Sequence, residues 1–243
     1  MKTIAERQRE QFERFSRTYE GVHGPVVSAI HRISQERYYG RCVGKRVLDI
    51  GNAGQSAMEV LGERIGSTLS HFVGIDHSFA MLQRTGATFT KVVGDGRRLP
   101  FKDNAFDYVI VNGVLHHLGR QAGEPPGVRV RQFVDEALRV CSEGLIVYEL
   151  FTPRLLERLE RLLLRLLGAM PTFVLSEQTL DGCLAGIGLA RDEVVSMTLA
   201  DLKGTFYWYA VVMDYEWLKL PALLSPFRHG FFVIRKGGAP EGR

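Results

Sequence analysis

The stretch Lys45–Gln55, KRVLDIGNAGQ, constrains the fold more than any other part of the sequence. A short apolar run, VLDI, breaks at Gly51, and a helix-compatible segment, Ser56–Ile65, follows it. This pattern predicts a strand, a tight turn and a helix. Glycine in such a turn lets a ligand approach the backbone, and the amides at the start of the next helix point towards that ligand.

Asp49 lies two residues before that glycine, at the end of the predicted strand. A carboxylate there is costly to bury unless it accepts hydrogen bonds or faces a cation. A dinucleotide site would have to accept a pyrophosphate at this turn, which the charge of Asp49 opposes. The residue therefore indicates a ligand with an ammonium or sulfonium group. A nicotinamide oxidoreductase is disfavoured, since the sequence also lacks a G-x-G-x-x-G pattern.

The segment resembles the first motif of the class I S-adenosylmethionine-dependent methyltransferases, hydrophobic-hydrophobic-Asp-x-Gly-x-Gly-x-Gly. Asp49 and Gly51 match it, whereas Ala53 replaces its second glycine and Gln55 its third. The resemblance implies that S-adenosylmethionine is the cofactor and that four residues here contact it: Asp49, Gly51, Asn52 and Ala53. The eroded glycine pattern leaves an alternative open, a protein that binds S-adenosylmethionine or S-adenosylhomocysteine without transferring methyl.

Two later segments resemble further motifs of that family in the same order. HFVGID predicts a second strand ending in Asp76, which is placed to accept hydrogen bonds from a ribose diol. The resemblance assigns the ribose to this acid and places the residue after it, His77, at the adenine. The stretch KVVGDGRRLPF predicts a third strand followed by Asp95 and Gly96. Asp95 is expected to accept a hydrogen bond from the exocyclic amine of adenine.

A fourth strand is predicted at Tyr108–Asn112 and runs into GVLHHL. Ligands bind at the carboxyl ends of the strands in open α/β sheets, so Asn112 and Gly113 are expected to border the reactive methyl. His116 and His117 come next. Neutral histidine is suited to taking a proton from a hydroxyl or an acidic carbon near pH 7, so these two are the candidate catalytic residues. A structural role is the alternative.

The N-terminal region predicts helices with a break at Gly21–Pro25. Within it, FERFSRTYE resembles the N-terminal helix of quinone-type methyltransferases, in which a tyrosine closes over the cofactor. The resemblance implies that role for Tyr19. The alternative is a helix face packed on the main domain, because Phe12, Phe15 and Tyr19 share a helical spacing.

Strands and helices alternate up to Glu149, which predicts an α/β fold with right-handed crossovers. Together with the resemblance, this indicates a doubly wound, mainly parallel seven-stranded sheet of the Rossmann-like methyltransferase type. The remaining elements are expected at these places: a loop at Gly119–Val130, a helix at Phe133–Val140, and strands at Gly144–Glu149, Glu193–Met197 and Gly230–Arg235. We expect N-terminal helices at 1–40, a cofactor-binding core at 41–150, a cap with a substrate-side insertion and the sixth strand at 151–229, and the last strand with a tail at 230–243.

The cap contains two unusual segments. Leu155–Leu167 predicts a Leu-rich helix with an arginine stripe, which packs on the domain or on a second subunit, or alternatively contacts lipid. Gly204–Pro226 is rich in aromatic residues and is expected to line a hydrophobic pocket. In an extended run, Tyr207 and Tyr209 share one face. We expect these two to contact the substrate while the other pair, Phe206 and Trp208, packs inward.

Composition narrows the function further. The chain has 243 residues, a net charge of +4 and three scattered cysteines without metal-ligand spacing. The scattered cysteines predict no metal site and a cytoplasmic location. We also expect no signal peptide, no membrane insertion and no nucleic-acid partner. A homodimer remains open. The predicted function is S-adenosylmethionine-dependent O- or C-methylation of a hydrophobic small molecule, ring-containing or isoprenoid, by in-line methyl transfer.

Overall fold

The computed structural model describes Glu6, Glu10, Glu13, residues 19–51, 71–84, 89–118, 124, 127–159, 175–212 and 215–237. Within these ranges, only the backbone is described for residues 19–27, 71, 84, 209–212 and 215–218. The predicted helix at Ser56–Ile65 and residues 160–167 of the Leu-rich segment lie outside the described residues. The beginning of that segment, residues 155–159, is helical as predicted, and the helix starts one residue earlier.

The described part of the chain contains nine strands and five α-helices besides the helical residues 154–159. The strands are β1 (Arg46–Ile50), β2 (His71–Asp76), β3 (Thr90–Val93), β4 (Phe106–Asn112), β5 (Cys141–Phe151), β6 (Asp192–Thr198), β7 (Trp208–Val212), β8 (Tyr215–Pro221) and β9 (Arg228–Arg235). The helices are α1 (Tyr19–Arg37), α2 (Phe79–Arg84), α3 (Val128–Val140), α4 (Glu177–Ala185) and α5 (Leu199–Lys203). Short 3₁₀ helices are formed by Tyr39–Cys42, Leu115–His117 and Ala222–Leu224.

Seven strands form one sheet in the order β3-β2-β1-β4-β5-β9-β6. The pairs from β3 to β5 are parallel, while β9 is antiparallel to both β5 and β6. The remaining strands, β7 and β8, form a separate antiparallel pair. The predicted seven-stranded, mainly parallel sheet is confirmed, and β1 lies where the chain order reverses, between β2 and β4.

Hydrophobic side chains cover both faces of this sheet. Leu48 and Ile50 belong to a buried cluster that includes Phe133 of α3. Val47, one residue earlier, belongs to a second cluster that includes Ile30 of α1. Because successive side chains of a strand point to opposite faces, strands buried on both sides read as continuous apolar runs. This is why β1, β4 and β5 are visible in the sequence.

Two predicted boundaries are wrong. The break at Gly21–Pro25 is absent, because α1 continues through it from Tyr19 to Arg37. A proline costs a helix one backbone hydrogen bond, and burial of Ala29 and Ile30 further along α1 anchors the helix despite that cost. The predicted loop at Gly119–Val130 ends early, because α3 begins at Val128 after Gly127, whose φ is 74°. Val130 is buried and continues the apolar face of the helix.

The β7–β8 pair is connected to the carboxyl edge of the main sheet. Phe151 at the end of β5 and Thr198 at the end of β6 both pair with Arg228, the first residue of β9. The segment between β6 and β9 therefore leaves and rejoins the sheet at the edge where the parallel strands end. No helix among the described residues is long and apolar enough to cross a membrane.

Stability is expected to fall as the pH is lowered from about 6.5 to about 4. Burial lowers the pKa of His31, on α1, from 6.5 to about 4. Between these values the unfolded chain binds a proton that the folded chain does not, so unfolding becomes easier as pH falls. In His31→Gln the free energy of unfolding should change less steeply with pH, by up to about 1.4 kcal/mol per pH unit. Urea denaturation at several pH values measures this slope. Equal slopes for both proteins between pH 4 and 6.5 would contradict the assignment.

Candidate functional site

The turn after β1 strongly favours glycine. Gly51 has a φ of 74°, a region that other L-residues rarely adopt. Its amide donates a hydrogen bond of 2.8 Å to the carbonyl of Ile75, which ties the end of β1 to β2. A Cβ atom at this position would lie 2.3 Å from Cγ2 of Val114. The chains leaving β1 and β4 are therefore in close contact at the edge of the sheet.

Asp49 is buried on the side of the sheet that faces α1. On that side, the Asn112 side chain at the end of β4 donates a 2.9 Å hydrogen bond to the hydroxyl of Tyr39. Burial, reinforced by the charge of Asp49, raises the pKa of the Tyr39 phenol, so this hydroxyl stays protonated. The other amide atom, Asn112 Oδ1, is buried without a hydrogen-bond donor in the described part of the chain. A buried acceptor of this kind is costly unless a ligand supplies the donor.

Asp76 ends β2 one strand away from Asp49. Its Oδ1 accepts a 2.8 Å hydrogen bond from the backbone amide of Ser78, and Nδ1 of His77 lies 3.4 Å from the same oxygen. Burial raises the pKa of Asp76, while the charge of His77 and the backbone amides oppose that shift. Ser78 Oγ donates to the Glu13 carboxylate at 3.0 Å, so part of the N-terminal region reaches this site.

The loop after β3 holds the third predicted acid. The Asp95 carboxylate accepts a hydrogen bond from the Arg97 backbone amide at 2.9 Å and pairs with the Arg97 guanidinium at 2.6 Å. Partial burial acts to raise the pKa of Asp95, but these Arg97 contacts outweigh it and lower the pKa. Gly96 has a packing role, because a Cβ there would lie 2.5 Å from the Phe133 ring.

Two apolar residues flank Asp76 that the sequence analysis did not single out. Phe79, the first residue of α2, and Val93, which pairs with Asp76 in the sheet, expose 57% and 54% of their surface. Large apolar side chains exposed beside a buried acid are the surfaces on which a flat heterocycle can pack. Phe79 lies three residues after Asp76, and its exposure was not visible in the sequence.

Gly113 and the two histidines form the turn after β4. Gly113 has a φ of 65°, and its amide donates a 2.9 Å hydrogen bond to the carbonyl of Tyr148 on β5. His116 and His117 lie in the 3₁₀ helix that follows, with ring centroids 4.0 Å apart. A Cβ on Gly113 would lie 3.7 Å from Cε1 of His116. The structure therefore brings the predicted catalytic residue His116 next to Gly113.

Glu149, which the sequence analysis described only as a strand-ending acid, is the partner of His116. Its carboxylate is fully buried and contacts Nδ1 of His116. The same carboxylate accepts backbone hydrogen bonds of 2.7 Å from Leu115 and from Leu150. The contact between positions 116 and 149 joins two strand ends, so no local motif could have revealed it.

The remaining predicted site residues are placed less completely. Asn52 and Ala53 lie outside the described residues, and for Tyr19 and Tyr209 only the backbone is described. Tyr207 precedes β7, and its ring is partly buried near Nζ of Lys203, which is 5.9 Å from the ring centroid. The prediction that Phe206 and Trp208 pack inward is wrong, since they are 92% and 58% exposed.

Comparison with known proteins decides the family of this site. Residues 48–148 match the model of a family described as a methyltransferase domain. This range runs from β1 through most of β5 and contains Asp49, Asp76, Gly113 and His116. Residues 48–148 form a class I S-adenosylmethionine-dependent methyltransferase domain. It is the domain of an enzyme, and S-adenosylmethionine is its cofactor.

Solved structures share the fold of this methyltransferase. One is the geranyl diphosphate C-methyltransferase of Streptomyces coelicolor A3(2), crystallised with geranyl diphosphate and S-adenosyl-L-homocysteine. It has 12% sequence identity and a TM-score of 0.55, over 84% of this chain and 79% of its own. Magnesium protoporphyrin IX methyltransferase from Synechocystis PCC 6803 has 15% identity and a TM-score of 0.52, over 86% and 81%. The [4+2]-cyclase SpnF has 16% identity and a TM-score of 0.58, over 86% and 80%. No protein with a curated description matches the sequence.

The residues of the methyltransferase domain fit its cofactor. Gly51 provides a turn without a side chain, Asp76 provides a buried carboxylate at the neighbouring strand end, and Asn112 Oδ1 provides a buried acceptor that needs a donor. Among the described residues, no group of three or more His, Cys, Asp or Glu side chains could hold a metal ion.

Gly51→Ala is expected to destabilise the methyltransferase more than Gly44→Ala does. Both glycines have φ near 70°, but a Cβ on Gly44 meets no atom within 4 Å. Gly44→Ala should cost about 1–2 kcal/mol for the left-handed backbone, and Gly51→Ala about 1–3 kcal/mol more for the clash with Val114. Urea denaturation of the two variants measures the difference. Equal losses would show that the contact between Gly51 and Val114 is not tight.

Proposed function

We propose that this enzyme transfers a methyl group from S-adenosylmethionine to a hydrophobic small molecule. The observation that carries the proposal is the convergence of polar groups at the ends of neighbouring strands: Asp49 on β1, Asp76 on β2 and Asn112 on β4. These strands meet at the reversal of strand order, where open α/β sheets bind their ligands. When bound, the cofactor supplies a methyl group activated by a sulfonium.

Each acid has a distinct role in the proposed complex. Asp76 accepts hydrogen bonds from the ribose hydroxyls, Asp95 lies at the adenine amine with His77 and Gly96 beside it, and Asp49 provides negative charge beneath the cationic part of the cofactor. Asn112 and Gly113 border the methyl group. Asn112 Oδ1 has no hydrogen-bond donor among the described residues, which supports a ligand that donates to it there. Tyr19, Asn52 and Ala53 complete the cofactor site by resemblance.

Methyl transfer needs few reactive groups from the protein. Alignment of donor and acceptor in a site without water can contribute about 7–11 kcal/mol. The sheet edge supports such alignment because β1, β2 and β4 are buried on both faces and fix the positions of their last residues. His116 or His117 then serves as the group that accepts a proton from the methyl acceptor.

We place the acceptor under the segment between β6 and β9. That segment begins and ends at the carboxyl edge of the sheet, next to β5, and its aromatic residues suit a hydrophobic molecule. Tyr207 and Tyr209 are the proposed contact residues. Two enzymes of similar fold act on a geranyl diphosphate and on a magnesium porphyrin, which agrees with a hydrophobic acceptor. We further propose a cytoplasmic enzyme without a nucleic-acid partner, and a homodimer is compatible with this function.

A second candidate function is binding of the cofactor without methyl transfer. Two glycines of the first motif are replaced, by Ala53 and Gln55. SpnF, which has a similar fold, is described as a [4+2]-cyclase. This candidate predicts that S-adenosylhomocysteine binds while no acceptor ever consumes S-adenosylmethionine.

Calorimetric titration tests the cofactor site directly. We expect S-adenosylhomocysteine to bind and NAD not to bind. Asp76→Asn should weaken S-adenosylhomocysteine binding at least about tenfold, because hydrogen bonds to a charged acceptor contribute about 1.5–3 kcal/mol. Tyr207→Ala is the matched control, since its ring belongs to the acceptor side and its loss should leave this affinity unchanged.

Two outcomes would contradict the proposal. Saturable NAD binding with no response to S-adenosylhomocysteine would contradict the proposed methyltransferase function. Unchanged S-adenosylhomocysteine affinity in a folded Asp76→Asn variant would remove Asp76 from the ribose site.

A further inference from the structure

A buried carboxylate stands behind the predicted catalytic histidine. Glu149 is 0% exposed, yet its oxygens accept backbone hydrogen bonds from Leu115 and Leu150 and contact Nδ1 of His116. A carboxylate removed from water is costly unless several donors converge on it. Because the two amides come from the 3₁₀ helix after β4 and from β5 itself, the position of this carboxylate is fixed by the backbone on both sides.

The contact determines which nitrogen of His116 carries the proton. Two backbone amides already donate to the carboxylate, which makes it an acceptor towards the ring as well. The hydrogen of neutral His116 then lies on Nδ1, and the lone pair lies on Nε2. A carboxylate behind a histidine is a common way to fix the tautomer and the orientation of the ring.

His116 is better placed to act as a base than the other two histidines nearby. Its side chain is only 8% exposed, and its Cε1 edge lies beside Gly113, which borders the proposed methyl site. His229 on β9 contacts the Tyr148 hydroxyl through Nδ1 at 2.8 Å. Burial, with the nearby His116, lowers the pKa of His229 to about 4, so it is neutral at pH 7. His117 packs its ring on that of His116.

We propose that Glu149 positions His116 as a general base and that the acceptor of this enzyme is a hydroxyl group rather than an amine. This inference rests on the proposed methyltransferase function. As the acceptor oxygen bonds to the methyl carbon, the carbon–sulfur bond breaks, its electron pair stays on sulfur, and Nε2 of His116 takes the hydroxyl proton. The products are a methyl ether, S-adenosylhomocysteine and protonated His116.

The need for a base separates hydroxyl acceptors from amines. A neutral amine attacks with its own lone pair and can lose its proton to water afterwards. A hydroxyl becomes a strong nucleophile only as its proton leaves, so a base in contact with it accelerates transfer by about 10² to 10⁴. A buried, oriented histidine adds little to the first reaction and much to the second. The Glu149–His116 pair therefore favours O-methylation over N-methylation.

The position of the proton on His116 tests the pair without any substrate. Nitrogen-15 NMR of histidine-labelled enzyme at neutral pH, with His116→Asn used to assign the signal, should show the proton on Nδ1. A proton on Nε2 would overturn the proposal even if every variant of Glu149 failed to fold.

Methyl transfer to matched probes tests the consequence. We expect the enzyme to convert 2-naphthol, but not 2-naphthylamine, to a methylated product. Glu149→Gln should reduce this transfer about 100-fold while binding S-adenosylhomocysteine as tightly as the wild type. The matched control is Glu143→Gln, the same change on the same strand at the opposite edge, where Glu143 pairs with Lys45 at 2.5 Å. It should retain activity.

Three results would count against the proposal: transfer to the amine alone, ether formation that Glu149→Gln leaves unchanged, or an equal loss in Glu143→Gln. If the wild type failed to bind S-adenosylhomocysteine at all, the methyltransferase function itself would fail. Normal binding with the proton on Nε2 would overturn this proposal and leave the methyltransferase function standing.

Discussion

The close approach of Gly51 and Val114 is the constraint on which the rest of the site depends. The turns after β1 and β4 meet at the point where the order of strands reverses, and a side chain on Gly51 would force them apart. With the turns in contact, the ends of β1, β2 and β4 form one edge. Asp49, Asp76 and Asn112 then lie on neighbouring strands, although they are distant in the sequence.

This edge concentrates polar groups that would destabilise the fold elsewhere. Asp49, Asp76 and Glu149 are all buried carboxylates at or near the carboxyl ends of strands. Strand ends can carry such groups because the backbone amides of the following turns are not used by the sheet, as Ser78 shows for Asp76 and Leu115 for Glu149. The same turns leave room for a ligand, so one arrangement satisfies both the buried charges and the binding of a cofactor.

Much of the central fold could be predicted from sequence because it depends on local patterns. The apolar runs of β1, β2 and β4 each end at or next to a glycine or an acid. The resemblance to the methyltransferases supplied the roles of the acids, which spacing alone does not give. Proline and glycine signals were less reliable, since α1 passes through Gly21–Pro25.

Features that depend on distant contacts could not be predicted. The pairing of Glu149 with His116 depends on the register of β4 and β5. Gly96 must be small because a side chain there would clash with Phe133 on a later helix. The alternation of Phe206 to Trp208 was visible in the sequence. However, the pattern cannot tell which of two alternating pairs is covered, and Phe206 and Trp208 are exposed.

A crystal structure of the complex with S-adenosylhomocysteine tests the central claim most directly. The account predicts that the ligand lies across the carboxyl ends of β1, β2 and β4, with the ribose hydroxyls on the Asp76 carboxylate and the sulfur near Gly113. A ligand bound elsewhere, or one whose ribose makes no contact with Asp76, would contradict it.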